Sequence, residues 1–179
     1  REDGSVGVWY NAKKVFDISQ TNSRQQAAPA VSHDPRLLLK ALINNAPFKI
    51  SISENLPENV YAAYQPQDKV ILIRQGMDAP DIFRALSQEL AHAHMDRGEY
   101  NRADCAFTAY CVSYMLCKRN SIAVDTFRFD RLPEAFKEMD AQGIRAELGK
   151  IRDVANEISR DMAPVLEQRK APSRDDGAR

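Results

Sequence analysis

The chain has 179 residues, and its 25 Lys and Arg are balanced by 25 Asp and Glu, so the formal net charge is zero. This balance provides no overall positive field of the kind that holds nucleic acid non-specifically. No apolar run approaches the roughly 18 residues that a membrane-spanning helix needs, and the N-terminus lacks a secretory signal. We therefore expect a cytoplasmic domain without membrane contact. Because the sequence does not begin with Met, we expect it to be cut from a longer chain.

Composition divides the chain into three regions. Residues 1–30 contain two short runs of β-favouring residues, Gly7–Tyr10 and Val15–Ile18, followed by a polar stretch without period. This predicts an extended ribbon and a linker. Residues 31–168 carry regular apolar patterns, and the 44% of hydrophobic residues in the chain suffice for one core of ordinary size. Residues 169–179 are polar and charged, which predicts a disordered tail.

The folded region should open with a short helix and three strands. Asp34 is a suitable N-cap and Pro35 falls in the first helical turn, where its missing N–H is harmless. Period-two alternation and β-branched residues then predict strands over Phe48–Ser53, Val60–Tyr64 and Lys69–Arg74. The turn Gln65–Asp68 should make the last two strands an antiparallel pair.

The second half of the region should be helical. Asp78 and Pro80 predict the start of a helix that runs to about Asp96, and further helices fit Arg102 to Lys118 and a short stretch after Pro133. After Gly143, one apolar stripe should pack on the core or on a partner; it comprises Ile144, Leu148, Ile151, Val154, Ile158, Met162 and Val165. This order predicts an α+β fold with a small antiparallel or mixed three-stranded sheet covered by helices.

The helix beginning near Asp78 carries several groups capable of proton transfer or metal binding. At 100° per residue, Gln88, Glu89, His92 and Asp96 lie within about 100° of one another, so they share one face of the helix. His94 falls on the far side from His92. The His-x-His sequence is therefore not a chelating pair on a helix.

The spacing within this face is that of a zinc-peptidase helix. In His-Glu-x-x-His, two imidazoles four residues apart bind one Zn²⁺, and the glutamate acts as general base. Here the pattern reads Gln88-Glu89-Leu90-Ala91-His92. Glu89 and His92 keep the positions of the base and one ligand, but the amide of Gln88 is a poor donor to Zn²⁺.

Several segments together resemble the metallopeptidase-like domain of ArdC-like antirestriction proteins, a group related to the ImmA/IrrE peptidases. The segments follow the family's order and are Val15–Thr21, Tyr61–Tyr64, Lys69–Ile73, Gly76-Met77, Gln88–Ala93 and Ala109–Cys117. The resemblance implies a zincin-like fold in an intracellular protein of a plasmid or conjugative element. It also implies that such a domain often belongs to a larger protein whose other part binds single-stranded DNA.

The family's functional residues are only partly retained. The resemblance places the general base on Glu89 and one metal ligand on His92, whereas the other two ligand positions fall on Gln88 and near Tyr110. Losses of this kind should leave no tight Zn²⁺ site unless other side chains substitute. Substitutes could come from Tyr110 as a phenolate or from the carboxylates of Asp96 and Asp104.

Three functions are compatible with this pattern. We predict a degenerate zincin-like domain of an antirestriction-type protein that has no cofactor and binds a protein partner or other domains of a longer chain. In this case Glu89 and His92 form a buried polar pair, with His92 bonded to a carboxylate or to the Tyr110 hydroxyl. The first alternative is an active metallopeptidase that binds zinc through substituted ligands. The second is a nucleic-acid-associated accessory module whose basic surface is local, suggested by the single-stranded DNA binding that the resemblance implies for neighbouring domains.

Overall fold

The computed structural model describes residues 33–44 and 46–167, which contain five helices and three strands. The predicted ribbon in residues 1–30 and the predicted tail in residues 169–179 lie outside the described residues. In chain order the elements are α1 (Pro35–Asn44), β1 (Lys49–Ser53), β2 (Ala62–Gln65), β3 (Val70–Arg74), α2 (Ala79–Met95), α3 (Arg102–Arg119), α4 (Glu134–Lys137) and α5 (Ala141–Glu167).

The sheet is mixed, with strand order β1-β3-β2. The central strand β3 runs parallel to β1, with Ile71 opposite Ile50, and antiparallel to β2, with Leu72 opposite Ala63. The antiparallel pair and the α+β class are thus confirmed. The strand β3 is also the most deeply buried of the three, which agrees with its nearly continuous apolar sequence.

The helix α2 begins where the sequence places it. The Asp78 side chain accepts a hydrogen bond of 2.9 Å from the Asp81 N–H, and Pro80 lies in the first turn. The helix ends at Met95, and the chain turns away through Gly98, whose φ of 113° favours glycine. These signals set the two ends of α2.

The hydrophobic core surrounds α2, which packs against α1, α3, α5 and the sheet. Its side chains Phe83, Leu86 and Leu90 are buried beside Ile71 of β3. The opposite, polar face of α2 is buried as well, since Glu89 and His92 are also nearly inaccessible to solvent. The large majority of polar groups buried to this extent have hydrogen-bond partners inside the fold.

The apolar stripe of α5 is only partly covered within the described residues. Its C-terminal part is buried, whereas Ile144 is 41% exposed and Leu148 is 60% exposed. The helix has 27 residues, but α1, which packs on it, has only 10. At 1.5 Å per residue, α1 therefore covers less than half of the length of α5.

None of the helices in residues 33–44 and 46–167 combines the length and the apolar character that crossing a bilayer requires.

Candidate functional site

The candidate site is a cleft between α2, the start of β2 and α3. Its larger part has a volume of about 380 Å³ and its smaller part about 230 Å³. Both parts are lined by Tyr61, Ala85 and Gln88, so we treat them together as the α2 cleft. The larger part extends towards Tyr110 of α3, and the smaller part extends towards Glu89.

Glu89 forms an ion pair beside this cleft, in which the carboxylate is buried and the arginine is half-exposed. The Arg102 guanidinium donates to both carboxylate oxygens, at 2.8 and 2.6 Å, and the Tyr64 N–H donates to Oε2 at 2.7 Å. The Glu89 side chain is 4% exposed and that of Arg102 is 48% exposed. The carboxylate in turn raises the pKa of Arg102 above its ordinary value. A bidentate pair of this kind is among the stronger hydrogen-bonded contacts in proteins.

This pairing changes what Glu89 can do chemically. A general base must reach a proton of its substrate or of a water molecule in a productive geometry. Here one arginine side chain compensates the charge of Glu89, and the backbone N–H of Tyr64 in β2 donates a third hydrogen bond to the carboxylate. The carboxylate therefore acts as a link between α2, α3 and β2 in this arrangement.

His92 lies one helical turn further along and is fully buried. Its Nδ1 lies 2.9 Å from the Tyr100 hydroxyl, and its Nε2 is buried without a hydrogen-bond partner among the described residues. The predicted partners, a carboxylate or the Tyr110 hydroxyl, were therefore wrong, because the loop before α3 places Tyr100 against the imidazole instead. His92 lines neither part of the α2 cleft.

Burial sets the protonation states of His92 and Tyr100. Desolvation, reinforced by the nearby Arg102 cation, lowers the pKa of His92 to about 4. Desolvation also raises the pKa of Tyr100 to about 12. At neutral pH the imidazole is uncharged and the phenol keeps its proton, so neither group adds a charge beside the Glu89–Arg102 ion pair.

The two positions where the resemblance expects further ligands face the larger part of the cleft. Among the described residues the side-chain amide of Gln88 has no hydrogen-bond partner, so its oxygen and its NH₂ group are free. The Tyr110 hydroxyl accepts a hydrogen bond of 2.6 Å from the Arg128 N–H, and its ring packs on Phe127 and Phe129. Tyr110 thus holds the loop after α3 in place.

The two carboxylates considered as substitute ligands, those of Asp96 and Asp104, do not line the α2 cleft. Asp96 follows the last residue of α2 and accepts hydrogen bonds from the Lys69 ammonium at 2.6 Å and the Tyr64 hydroxyl at 2.8 Å. The bond from Lys69 holds the pKa of Asp96 below its usual value. Asp104 is exposed in the first turn of α3. Asp96 therefore ties the β2–β3 turn to the end of α2.

These donors do not fit the zinc ion that the resemblance implies. Zinc sites in proteins use three or four nitrogen, sulfur or carboxylate donors. Within residues 33–44 and 46–167 no group of three or more His, Cys, Asp or Glu side chains is arranged to hold a metal ion. The oxygens of Glu89 are bonded to Arg102 and Tyr64, and Nδ1 of His92 faces Tyr100.

The sequence analysis missed Arg102 and Tyr100, which decide the state of Glu89 and His92. One signal for Arg102 was available. It is the first residue of α3, where the helix dipole disfavours a positive charge. An arginine at such a position indicates a carboxylate partner from another element.

The edge of β2 beside the cleft offers free backbone groups. Because the Arg74 N–H donates to the Tyr61 carbonyl and the Tyr64 N–H donates to Glu89, the N–H and C=O of Ala62 point away from β3. Ala62 lines the smaller part of the cleft together with Gln88. Within the described residues β2 is an edge strand, but Ala62 is only 7% exposed and the Tyr64 N–H is already bonded to Glu89.

Comparison with protein-family models, with curated proteins and with solved structures finds no match to this chain. The resemblance to ArdC-like proteins therefore stays a prediction from the motifs. What the α2 cleft does must be argued from its geometry.

Proposed function

We propose that this chain is a zincin-like domain in which an ion pair replaces the catalytic metal, and that it acts as a non-catalytic binding module. The observation that carries the proposal is the bidentate contact of Arg102 with Glu89. A guanidinium supplies the positive charge that this carboxylate needs, but it has no open coordination position at which water could be activated.

The ligand we propose is an extended peptide segment. A strand that adds to a sheet edge gains affinity from main-chain hydrogen bonds, and the N–H and C=O of the largely buried Ala62 have no partner among the described residues. The amide of Gln88 offers an NH₂ donor group and a carbonyl acceptor, which match the acceptor and donor of a peptide group. Together these two residues present a surface complementary to a main chain.

The source of this segment follows from the resemblance. We propose that it belongs to a protein partner or to another domain of a longer, antirestriction-type chain. Contact with single-stranded DNA would then occur through neighbouring domains, since the present chain has no net positive charge.

Metal analysis tests the non-catalytic part of the proposal. The purified protein should contain clearly less than one equivalent of zinc after dialysis against micromolar ZnCl₂, because Glu89 is already paired and His92 is buried. The measurement is elemental analysis by mass spectrometry with parallel peptidase assays. About one bound zinc per chain together with peptide hydrolysis would instead support the active metallopeptidase.

A set of ligand-restoring variants makes this test sharper. We expect the double variant Gln88→His/Tyr110→Glu to bind little zinc, because Arg102 still occupies the Glu89 carboxylate. The triple variant, which adds Arg102→Ala, should bind more zinc. The matched control adds Arg152→Ala instead, which removes an arginine paired with the exposed Asp153. Equal zinc uptake by the double and triple variants would show that Arg102 does not replace the metal.

The edge of β2 can be blocked by one substitution. Ala62→Pro removes the free N–H but no bond to β3, because Ala62 and Ile73 form a non-hydrogen-bonded pair. We expect the best peptide selected from a displayed random dodecamer library to bind this variant roughly three- to tenfold more weakly. Ala62→Gly, which keeps the N–H, should retain binding. Equal titration curves for both variants, with unchanged circular dichroism, would contradict edge pairing.

A further inference from the structure

We infer that the outer edge of β1 pairs with the same edge of a second copy of this chain, with the two strands antiparallel about a two-fold axis at Ser51. This surface lies at the other end of the sheet from the α2 cleft, because β1 and β2 are the outer strands of the order β1-β3-β2. The inference therefore goes beyond the proposed function and does not depend on it.

The backbone of β1 is paired on one side. Among the helices and strands in residues 33–44 and 46–167, only β3 makes extensive contact with β1, and no described strand pairs with the other edge of β1. In an edge strand, every second residue points its N–H and C=O away from the neighbouring strand. These groups can form a regular ladder with a further strand, and a symmetric dimer supplies that strand without a second kind of protein.

The side chain of Ile52 indicates that this edge is an interaction surface. It lies on the same face of β1 as Ile50, because residues two apart in a strand point the same way. Ile50 packs against the hydrophobic core, whereas Ile52 is 73% exposed, the highest value of any large apolar side chain in the described part of the chain. An exposed isoleucine on an unpaired strand edge promotes association with another strand.

The sequence of β1 is complementary to itself in one antiparallel register. When Ser51 lies opposite Ser51 of the second copy, Ile50 lies opposite Ile52, and Lys49 lies opposite Ser53. Each exposed Ile52 is then covered by the core-packed Ile50 of the other chain. Apolar cross-strand pairs of this kind stabilise a sheet, and no like charges lie directly opposite each other.

The neighbouring antiparallel registers are less favourable. A pairing centred on Ile52 places the charged Glu54 opposite Ile50. A pairing centred on Ile50 places Ser53 opposite Pro47, which has no N–H for the ladder. A slip of one residue would put the two sets of isoleucines on opposite faces. The register centred on Ser51 avoids all three conflicts.

Charge also favours the antiparallel orientation. The strand β1 begins with the exposed Lys49, and the exposed Glu54 follows its last residue. Antiparallel pairing brings the basic start of each strand to the acidic end of the other. Parallel pairing in register would instead bring the two ammonium groups together, which is unfavourable.

Sedimentation equilibrium of the full chain tests self-association. An edge of five residues buries a small area, so we expect a weak dimer whose apparent mass rises from one chain towards two between micromolar and submillimolar concentration. Ile52→Lys should weaken this dimer about tenfold or more, because it removes the apolar pair and adds two like charges near the axis. Ile144→Lys, the same change at an isoleucine that is 41% exposed on α5, should leave the dimer intact.

Cysteine crosslinking tests the register. Ser51→Cys should form a covalent dimer on mild oxidation, because the two copies of residue 51 face each other across the axis. Ser53→Cys should form much less, since its two copies lie four residues apart along the strands, about 14 Å. The wild-type chain, which has three cysteines, measures the background.

The two experiments together decide the inference. The mass of a single chain at every concentration, or a dimer that Ile52→Lys does not weaken, overturns it. Equal crosslinking through residues 51 and 53 also overturns it, because the strands would then not pair about Ser51. If Ile52→Lys alters the circular dichroism, the comparison of the two cysteine variants takes its place.

Discussion

Arg102→Met should lower the free energy of unfolding by roughly 2 to 4 kcal/mol, because it leaves the Glu89 carboxylate buried without its counter-ion. The carboxylate would keep only the Tyr64 N–H as a partner. Urea denaturation followed by circular dichroism measures the effect. We expect the additional variant Glu89→Gln to restore part of the loss, since it removes the unpaired charge.

An exposed ion pair of the same chemistry provides the control. Arg152 bonds to Asp153, and both side chains are about 60% exposed or more. Arg152→Met should therefore change the free energy of unfolding by less than about 0.5 kcal/mol. Equal effects of Arg102→Met and Arg152→Met would mean that the Glu89–Arg102 pair contributes nothing beyond a surface contact, and the proposed replacement of the metal would lose its physical basis.

Stability should also fall as the pH is lowered from about 6.5 towards about 4, because of His92. Burial lowers the folded-state pKa of His92 from 6.5 to about 4, so in this window the unfolded chain binds a proton that the folded chain excludes. The stabilising contribution of the neutral His92 is therefore fully present above the unfolded-state pKa of 6.5 and is lost on acidification. The single-site effect is of the order of 3 kcal/mol across the window. His92→Asn, which can still bond the Tyr100 hydroxyl, should flatten the profile.

The pH-dependent contributions of His94 and Asp96 to stability must be distinguished from that of His92. His94 is also buried, with its pKa lowered by desolvation, so His94→Gln is measured alongside. The stabilising contribution of Asp96 disappears only at more acidic pH, because the hydrogen bond from Lys69 lowers the pKa of Asp96 below its ordinary value. Parallel profiles for the wild type and His92→Asn between pH 6.5 and 4 would exclude a neutral buried imidazole.

Local signals in the sequence were sufficient to predict most elements. The caps Asp34 and Asp78, the period-two runs and the turn after Gln65 gave helices and an antiparallel pair close to those observed. The parallel partnership of β1 with β3 could not be predicted, because residues 54–61 between β1 and β2 carry no period that indicates how the chain crosses the sheet. The sequence therefore left open whether the sheet is fully antiparallel or mixed.

The site was predicted in its outline but not in its contacts. Helical angles alone placed Gln88, Glu89 and His92 near one another, and the structure agrees that the first two border one cleft. The state of Glu89 depends on Arg102, which is distant in sequence and follows a loop without regular structure. Such a contact arises from the packing of α3 on α2, and periodicity within one helix carries no information about it.

The Glu89–Arg102 pair also bears on how this protein would behave in a cell. Its cation is part of the polypeptide, so the cleft is complete as soon as the chain has folded. Under the proposed replacement of the metal, a chelator would leave the pair unchanged, because the pair contains no metal ion. A peptidase that depends on zinc would lose its cation under the same treatment.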